Sequence, residues 1–391
     1  MVDDVFNLMD EWGPEKIVAV SDTKTGMKGV LVIDNTARGI GKGGTRMLPT
    51  VSVREIARLA RVMTWKWAGV DLFYGGAKAG IQADPQSPYK EEILRAFVRR
   101  LSNEVPAEYV FGLDMGLTED DAAIINDELG DRGAAVGTPY ELGGIPYDKL
   151  GITGYGVAEV VDQTAVRIGL EGRRVALQGF GAVGHAAAAR LHTLGYSVVS
   201  ISTAAGALHD PAGLDVPLLL QLREDRGDTL VDALPQLRIE PGSELLVDAD
   251  IAVPAALQDV ITVNNAADIK ARLLVEGANL PTSPDAQALL HRRGVTVIPD
   301  FVANAGGVVS AAFAMDARYS AFRPETEQIF TTVSAKLRTN ADQVLDETLR
   351  RGGTSHEAAR AMAQERVLVA MELRGKPRRN RTALPALSAS R

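Results

Sequence analysis

Apolar and β-branched residues cluster first in KIVAVSDTKTGMKGVLVIDN, which predicts strands over Ile17–Ser21 and Gly29–Ile33 joined by a Thr-Gly turn into a hairpin. A glycine-dense loop, Arg38–Arg46, comes next. Ser52 and Glu55 then form an S-x-x-E capping box ahead of Ile56, Leu59, Ala60, Met63 and Trp67 at helical spacing. A second helix is expected over Glu91–Leu101, and a third after Thr118, where Asp121 repeats the capping pattern.

From about residue 153 the pattern changes. A helix over Thr153–Ile168 leads to a strand at Arg174–Gln178, a glycine loop, an alanine-rich helix ending at Leu194, and a strand at Ser197–Ser202. Short apolar runs at Leu245–Val247, Ile251–Val253, Leu273–Glu276 and Val295–Ile298 alternate with helical or turn segments, as in a parallel sheet with crossover helices. Two long helices, roughly Glu325–Arg350 and Ser355–Leu373, close the chain. The expected class is α/β with two domains: residues 1–146, completed by C-terminal helices within 315–391, and a Rossmann-type domain over 147–314.

Composition narrows the chemistry. The 391 residues contain no cysteine, which removes disulfides, thiolate nucleophiles and cysteine-ligated metals. All five histidines lie beyond residue 184, so chemistry in the first part must use Lys, carboxylates, hydroxyls or backbone groups. A net charge of −8 argues against a general nucleic-acid surface. No apolar run approaches the roughly 20 residues of a membrane span, and the acidic N-terminus is unlike a signal peptide, so a cytoplasmic protein is expected. The tail Arg374–Arg391 holds six basic and no acidic residues and reads as a solvated end.

In VALQGFGAVGHAAAARL, Gly179, Gly181 and Gly184 make G-x-G-x-x-G between a strand and a helix, with Phe180, Ala182 and Val183 in the intervening places. The first glycine permits a tight turn, the second admits a pyrophosphate, and the third allows close packing of helix on strand. About 20 residues on, where an acid would hold the ribose of NAD, stands Thr203. A 2′-phosphate meets no repulsion there, so NADP or dual use is expected, although no arginine nearby in the sequence argues for it.

A second constellation joins GIGKGGTR, MTWK and YGGAKAG, whose Lys42, Lys66 and Lys78 stand beside glycines or at a helix end. Taken singly, each lysine is more simply a solvated surface residue; together, in glycine pockets, they could bind a small anion, and burial would bring one toward acid–base work. Asp114 in GLDMG precedes a helix already capped by Thr118, which leaves its carboxylate available.

These segments, with ITGYGVAE, AVPAALQDVITVNNA, VEGANLPTSPDA and IPDFVANAGGVV, resemble in order and spacing the glutamate/leucine/phenylalanine/valine dehydrogenases over roughly residues 15–315. The resemblance implies oxidative deamination of an L-amino acid to a 2-oxo acid and ammonia with NAD or NADP, in a cleft between two domains. It implies Lys78 as catalytic lysine, Asp114 as proton shuttle and Lys66 as ligand of the α-carboxylate. Thr153, Ala255 and Asn279 fall on the cofactor side, with Asn304 at the cleft. Lys42 stands where glutamate enzymes bind the side-chain carboxylate. The serine those enzymes carry beyond NAGG is replaced by Ala311, with Ser310 one place earlier, and Thr45-Arg46-Met47 looks like the branched-chain version of its loop. Glutamate is the expected substrate; a leucine- or valine-type enzyme and a catalytically silent dinucleotide-binding paralogue are the alternatives. The family is commonly hexameric through its first domain, so a homo-oligomer is expected.

Overall fold

The computed structural model describes residues 4–146 and 149–375, so most of the basic tail lies outside the described residues. A first sheet contains β1 (Lys16–Asp22), β2 (Met27–Asn35), β3 (Gly41–Lys42), β4 (Thr45–Met47), β5 (Gly75–Ile81) and β6 (Tyr109–Val110). Its order is β1-β2-β5-β3-β6, with β4 also on β5. The β1–β2 hairpin forms as the alternation predicts, in the register Lys16↔Ile33 to Asp22↔Met27. Helices α1 (Val53–Gly69), α2 (Lys90–Arg100) and α3 (Glu119–Leu129) pack on this sheet. Ser52 Oγ accepts from Glu55 N at 3.2 Å, and Thr118 with Asp121 closes the second capping box.

The glycine-rich YGGAKAG is a strand and not a loop. All of β5 is buried, flanked by β2, β3 and β4. Its glycines are cut to fit α1: a Cβ on Gly76 would lie 2.0 Å from Thr64 Oγ1, and one on Gly80 would lie 2.7 Å from Ile56 Cδ1. Backbone therefore approaches helix here, where the sequence suggested approach to an anion. The expected loop Arg38–Arg46 likewise supplies β3 and the start of β4.

Helix α4 (Ile152–Arg167) leads into a second sheet of β7 (Arg174–Gln178), β8 (Ser197–Thr203), β9 (Gly206–His209), β10 (Arg238–Ile239), β11 (Ile251–Pro254), β12 (Leu273–Val275) and β13 (Thr296–Ile298). The order is β10-β9-β8-β7-β11-β12-β13, and β8, β7, β11, β12 and β13 run parallel, as expected for a doubly wound fold. The edge differs: β9 and β10 are antiparallel. Only Ala204 and Ala205 separate β8 from β9, with Gly206 at φ +147°, so the chain turns straight back with no room for a crossover helix. Leu245–Val247 forms no strand; Leu245 is instead buried against Ile261, Leu274 and Leu290.

The crossovers are α5 (Ala182–Thr193) and α7 (Pro284–Arg292); α6 (Val216–Arg226) lies between the antiparallel β9 and β10, and α8 (Asp300–Ala303), α9 (Gly306–Ala317), α10 (Thr326–Arg351) and α11 (Ser355–Leu373) follow the sheet. Ile329, Val333 and Leu337 of α10 join the core that covers α4. Buried Glu159 of α4 accepts from Arg190 Nε at 2.7 Å, Arg338 Nε at 2.6 Å and Ser334 Oγ at 2.5 Å, tying α4 to α5 and α10. Helix α11 lies along α1, and Arg366 Nη1 donates to Ala68 O at 2.8 Å and Gly69 O at 2.9 Å. The last carbonyls of α1 are thereby satisfied.

Candidate active site

Three strands of the first sheet and helix α1 place the lysines and Asp114. β3 carries Lys42, α1 carries Lys66 in its last turn, β5 carries Lys78, and Asp114 follows β6. Glycines clear room for the ammonium groups. A Cβ on Gly112 would lie 2.5 Å from Lys42 Nζ, and one on Gly44 would lie 3.0 Å from Lys78 Nζ.

Lys78 Nζ is ion-paired with Asp114 Oδ2, and Arg46 Nη2 approaches the same oxygen at 3.4 Å. Asp114 Oδ1 accepts from Met115 N at 2.8 Å. Burial pushes the Lys78 ammonium below the ordinary lysine value, and Asp114 only partly restores it. Burial would raise the Asp114 carboxyl, but Lys78, Arg46 and the Met115 N–H outweigh it and hold it below the usual range. A cavity of about 630 Å³ lined by Leu113, Asp114, Leu117 and Lys149 opens beside this pair.

Lys66 reaches the other sheet. Its Nζ donates to Asn279 Oδ1 at 2.9 Å and Asn304 Oδ1 at 3.4 Å. Asn304 Nδ2 in turn donates to Asn279 Oδ1 at 3.1 Å and Gly277 O at 3.3 Å. Burial lowers the Lys66 pKa, opposed by Asp300.

Lys42 is 3% exposed. Its Nζ donates to Phe111 O at 2.7 Å and Val110 O at 3.2 Å, and no carboxylate lies within ion-pair distance among the described residues. Burial drives its pKa well below the ordinary value, with further repulsion from Arg318 and then Lys78. Arg318 was not singled out by the sequence reading. It ends α9 seven residues beyond Ala311, two helical turns on the same face, and its buried Nε has no hydrogen-bond partner. The signal was available: Ala311 and Arg318 are at i and i+7. Ser310, by contrast, is fully buried and donates to Gly306 O and Gly307 O, both at 3.1 Å, so its hydroxyl faces its own helix. Ala311 is half-buried.

On the second sheet, Gly179 has φ +87°, and its N–H donates to Ser202 Oγ at 2.9 Å, which ties the glycine loop to the end of β8. A Cβ on Gly184 would sit 1.8 Å from Gly179 O, whereas one on Gly181 would meet nothing within 4 Å. The space over Gly181 at the start of α5 thus fits a pyrophosphate. Phe180 is buried in the core, so it can offer only backbone, while Ala182 is exposed and Val183 half-buried. Ala255 lies beside this loop, its N–H bonded to Gln178 O at 2.8 Å. Thr153 begins α4 against α9, where a Cβ on Gly307 would be 3.1 Å from Thr153 Oγ1. Thr203 ends β8 and donates from Oγ1 to Asp228 O at 2.7 Å. The structure therefore brings Lys66, Asn279 and Asn304 together directly, with Lys78 and Asp114 within electrostatic reach of Lys66, while the glycine loop stands on the second sheet.

Residues 14–131 match the Glu/Leu/Phe/Val dehydrogenase dimerisation domain, and residues 143–375 match the glutamate/leucine/phenylalanine/valine dehydrogenase domain. The chain is 35% identical over 354 residues to an NAD-specific glutamate dehydrogenase of Staphylococcus aureus, covering 87% of this chain and 84% of the relative. It is 34% identical over 385 residues to an NADP-specific glutamate dehydrogenase of Saccharolobus shibatae, covering 93% and 90%. Its fold superposes on a hetero-hexameric glutamate dehydrogenase from Thermus thermophilus in a Leu-bound form with a TM-score of 0.82 and 30% identity, covering 95% of this chain and 93% of that one. The chain belongs to the glutamate/leucine/phenylalanine/valine dehydrogenase family and is an NAD(P)-dependent amino-acid dehydrogenase.

Proposed function

We propose that this member of the family catalyses the reversible oxidative deamination of L-glutamate to 2-oxoglutarate and ammonia, with Lys42 selecting the side chain. The observation that carries the choice of substrate is the buried Lys42 ammonium, which among the described residues has carbonyl hydrogen-bond partners and the Arg318 and Lys78 cations within electrostatic reach. A lysine in such a place loses charge unless an anion arrives, and a dicarboxylic substrate brings one.

In this reading Lys66 binds the α-carboxylate, exchanging the amide oxygens of Asn279 and Asn304 for it. Asp114, held ionised by Lys78 and Arg46, accepts a proton from the substrate ammonium. A nicotinamide held on the second-sheet side would supply the acceptor for the hydride that leaves Cα. Lys78, its pKa lowered by burial, gives up its proton more readily than an ordinary lysine; once neutral it takes a proton from the water that attacks the iminium and steadies the carbinolamine oxygen, and Asp114 returns its proton to the amine, which leaves as ammonia. Gly179, Gly181 and Gly184 hold the dinucleotide, with Thr153, Ala255, Asn279 and Asn304 toward the nicotinamide.

The division into residues 1–146 with 315–391 and residues 147–314 belongs to the same reading, supported by α11 lying along α1, while α10 also packs on α4. A homo-hexamer and a cytoplasmic location complete it; among the described residues no helix is long and apolar enough to cross a membrane. Sedimentation at micromolar concentration tests the assembly, and a monomer alone overturns it.

A leucine- or valine-type substrate is the second reading, because half-buried Ala311 stands where the resemblance gives glutamate enzymes a serine. The test is loss of reduced-nicotinamide absorbance when the enzyme is mixed with ammonium and 2-oxoglutarate or 4-methyl-2-oxopentanoate. Faster oxidation with 2-oxoglutarate is expected. Faster oxidation with the branched acid overturns the glutamate reading, and none with any 2-oxo acid leaves the silent paralogue.

A further inference from the structure

The sequence around Thr203 offers no arginine, yet the fold brings one. Arg238 of β10 lies 35 positions along the chain from Thr203, and its Nη2 donates to Ala205 O at 3.0 Å. Its guanidinium covers the turn so closely that a Cβ on Gly206 would lie 2.7 Å from Nη2. The antiparallel edge is what delivers it, since β10 pairs with β9 in the register Arg238↔Leu208 and Ile239↔Ala207.

The turn lies at the carboxyl end of β8, beside the glycine loop. Gly179 N reaches Ser202 Oγ, and the next residue is Thr203, whose hydroxyl accepts from Ala205 N at 3.2 Å. In a doubly wound sheet this strand end meets the adenosine ribose of a dinucleotide, where a carboxylate selects the 2′-hydroxyl and an arginine accommodates the 2′-phosphate. No carboxylate side chain comes from the strand end itself. The nearest acids are already engaged: Asp232 with Arg238 and Asp228 with Arg223. Arg238 keeps 39% of its side chain exposed, so donors remain for an incoming anion.

We propose that Arg238 is the residue that selects the cofactor, receiving the 2′-phosphate of NADP over the Thr203–Gly206 turn. The inference rests on the dinucleotide site proposed above. A phosphate monoester bonded by a planar guanidinium gains charge-assisted hydrogen bonds that a ribose hydroxyl cannot match.

The experiment is calorimetric titration of the full-length protein with adenosine 2′,5′-bisphosphate and, separately, 5′-AMP, for the wild type, Arg238→Gln and Arg238→Lys. The wild type is expected to bind the bisphosphate roughly tenfold or more tightly than 5′-AMP. Arg238→Gln should erase that margin while leaving 5′-AMP unchanged, and Arg238→Lys should restore part of it. An unchanged margin in Arg238→Gln overturns the proposal, as does a wild type that prefers 5′-AMP, which would give the ribose to Asp228 or Asp232. If the wild type binds neither nucleotide, the dinucleotide site itself is wrong. Retained 5′-AMP binding shows that the variant is folded.

Discussion

Lys66 Nζ and Asn279 Oδ1 meet at 2.9 Å although 213 positions separate them, so one hydrogen bond joins the α1 end of the first sheet to the loop after β12 of the second. Asn304 holds Asn279 from behind through its Nδ2 at 3.1 Å. The residue assigned to the α-carboxylate is thus held ready, before substrate arrives, by the residues assigned to the nicotinamide, and the carboxylate takes over that contact. Because every L-amino acid carries an α-carboxylate, Lys66→Ala should raise KM for glutamate and leucine by similar factors. Steady-state kinetics with both substrates check this, and a loss confined to glutamate would give Lys66 the wrong role.

Lys42→Leu should do the opposite and discriminate. Truncating one partner of a buried charge pair costs about 2–5 kcal/mol, so kcat/KM for glutamate should fall by roughly 30-fold to several-thousand-fold, while relative activity on norleucine rises. Replacing a buried ammonium without a carboxylate partner by an apolar side chain should leave thermal stability unchanged or raise it. Kinetics and a melting curve on one variant therefore separate a substrate-binding lysine from a structural one.

For chemistry, Lys78→Ala and Asp114→Asn should each lower kcat by roughly 10²- to 10⁴-fold, the usual loss of a general acid–base group. Dinucleotide affinity should hardly change, since Gly179–Gly184 belong to the other sheet. Turnover near the wild-type value in either variant would remove that residue from the mechanism.

The pH profile follows from the burial of two lysines. Deamination needs neutral Lys78 and charged Lys42, and both have pKa values below the ordinary 10.5. Lys42 is displaced further than Lys78, so in the free enzyme it loses its proton first and kcat/KM for glutamate should show a descending limb set by Lys42, while kcat, read with glutamate bound, rises as Lys78 loses its proton. Asp114, depressed below 3.8, stays ionised throughout that range. In Lys42→Leu the descending limb for norleucine should be absent; its persistence would trace that limb to another group.

Stability should depend on Glu159, whose carboxylate ties Arg190, Arg338 and Ser334 together. Glu159→Leu leaves two arginines facing an apolar side chain; they keep 32% and 26% exposure, which points to the lower end of the range for a broken buried pair, about 3 kcal/mol. Burial raises the Glu159 pKa, but those three hydrogen bonds outweigh it and leave the folded value depressed below 4.5. Its contribution is therefore present at neutral pH and lost as the pH falls through that depressed value. Denaturant unfolding of both proteins at pH 7 checks the magnitude; equal midpoints would contradict it.

What the sequence determined by itself was local and periodic. The β1–β2 alternation, the caps at Ser52 and Thr118, and the G-x-G-x-x-G between β7 and α5 depend on neighbours a few residues apart, and each forms as read. The three lysines and Asp114 were legible as unusual residues among glycines, because glycine marks places where a side chain has no room. Only the tertiary structure decided what fills that room. At Gly76 it is helix α1, so glycines that suggested room for an anion lie in the buried strand β5; at Gly112 it is the Lys42 ammonium. The i, i+7 spacing to Ala311 puts Arg318 on a known face of its helix, but its approach to Lys42, like that of Arg238 to the Thr203 turn, has no local signal. Each is placed by long-range packing, the first by the docking of α9 and the second by an antiparallel edge that a two-residue turn imposes on an otherwise parallel sheet.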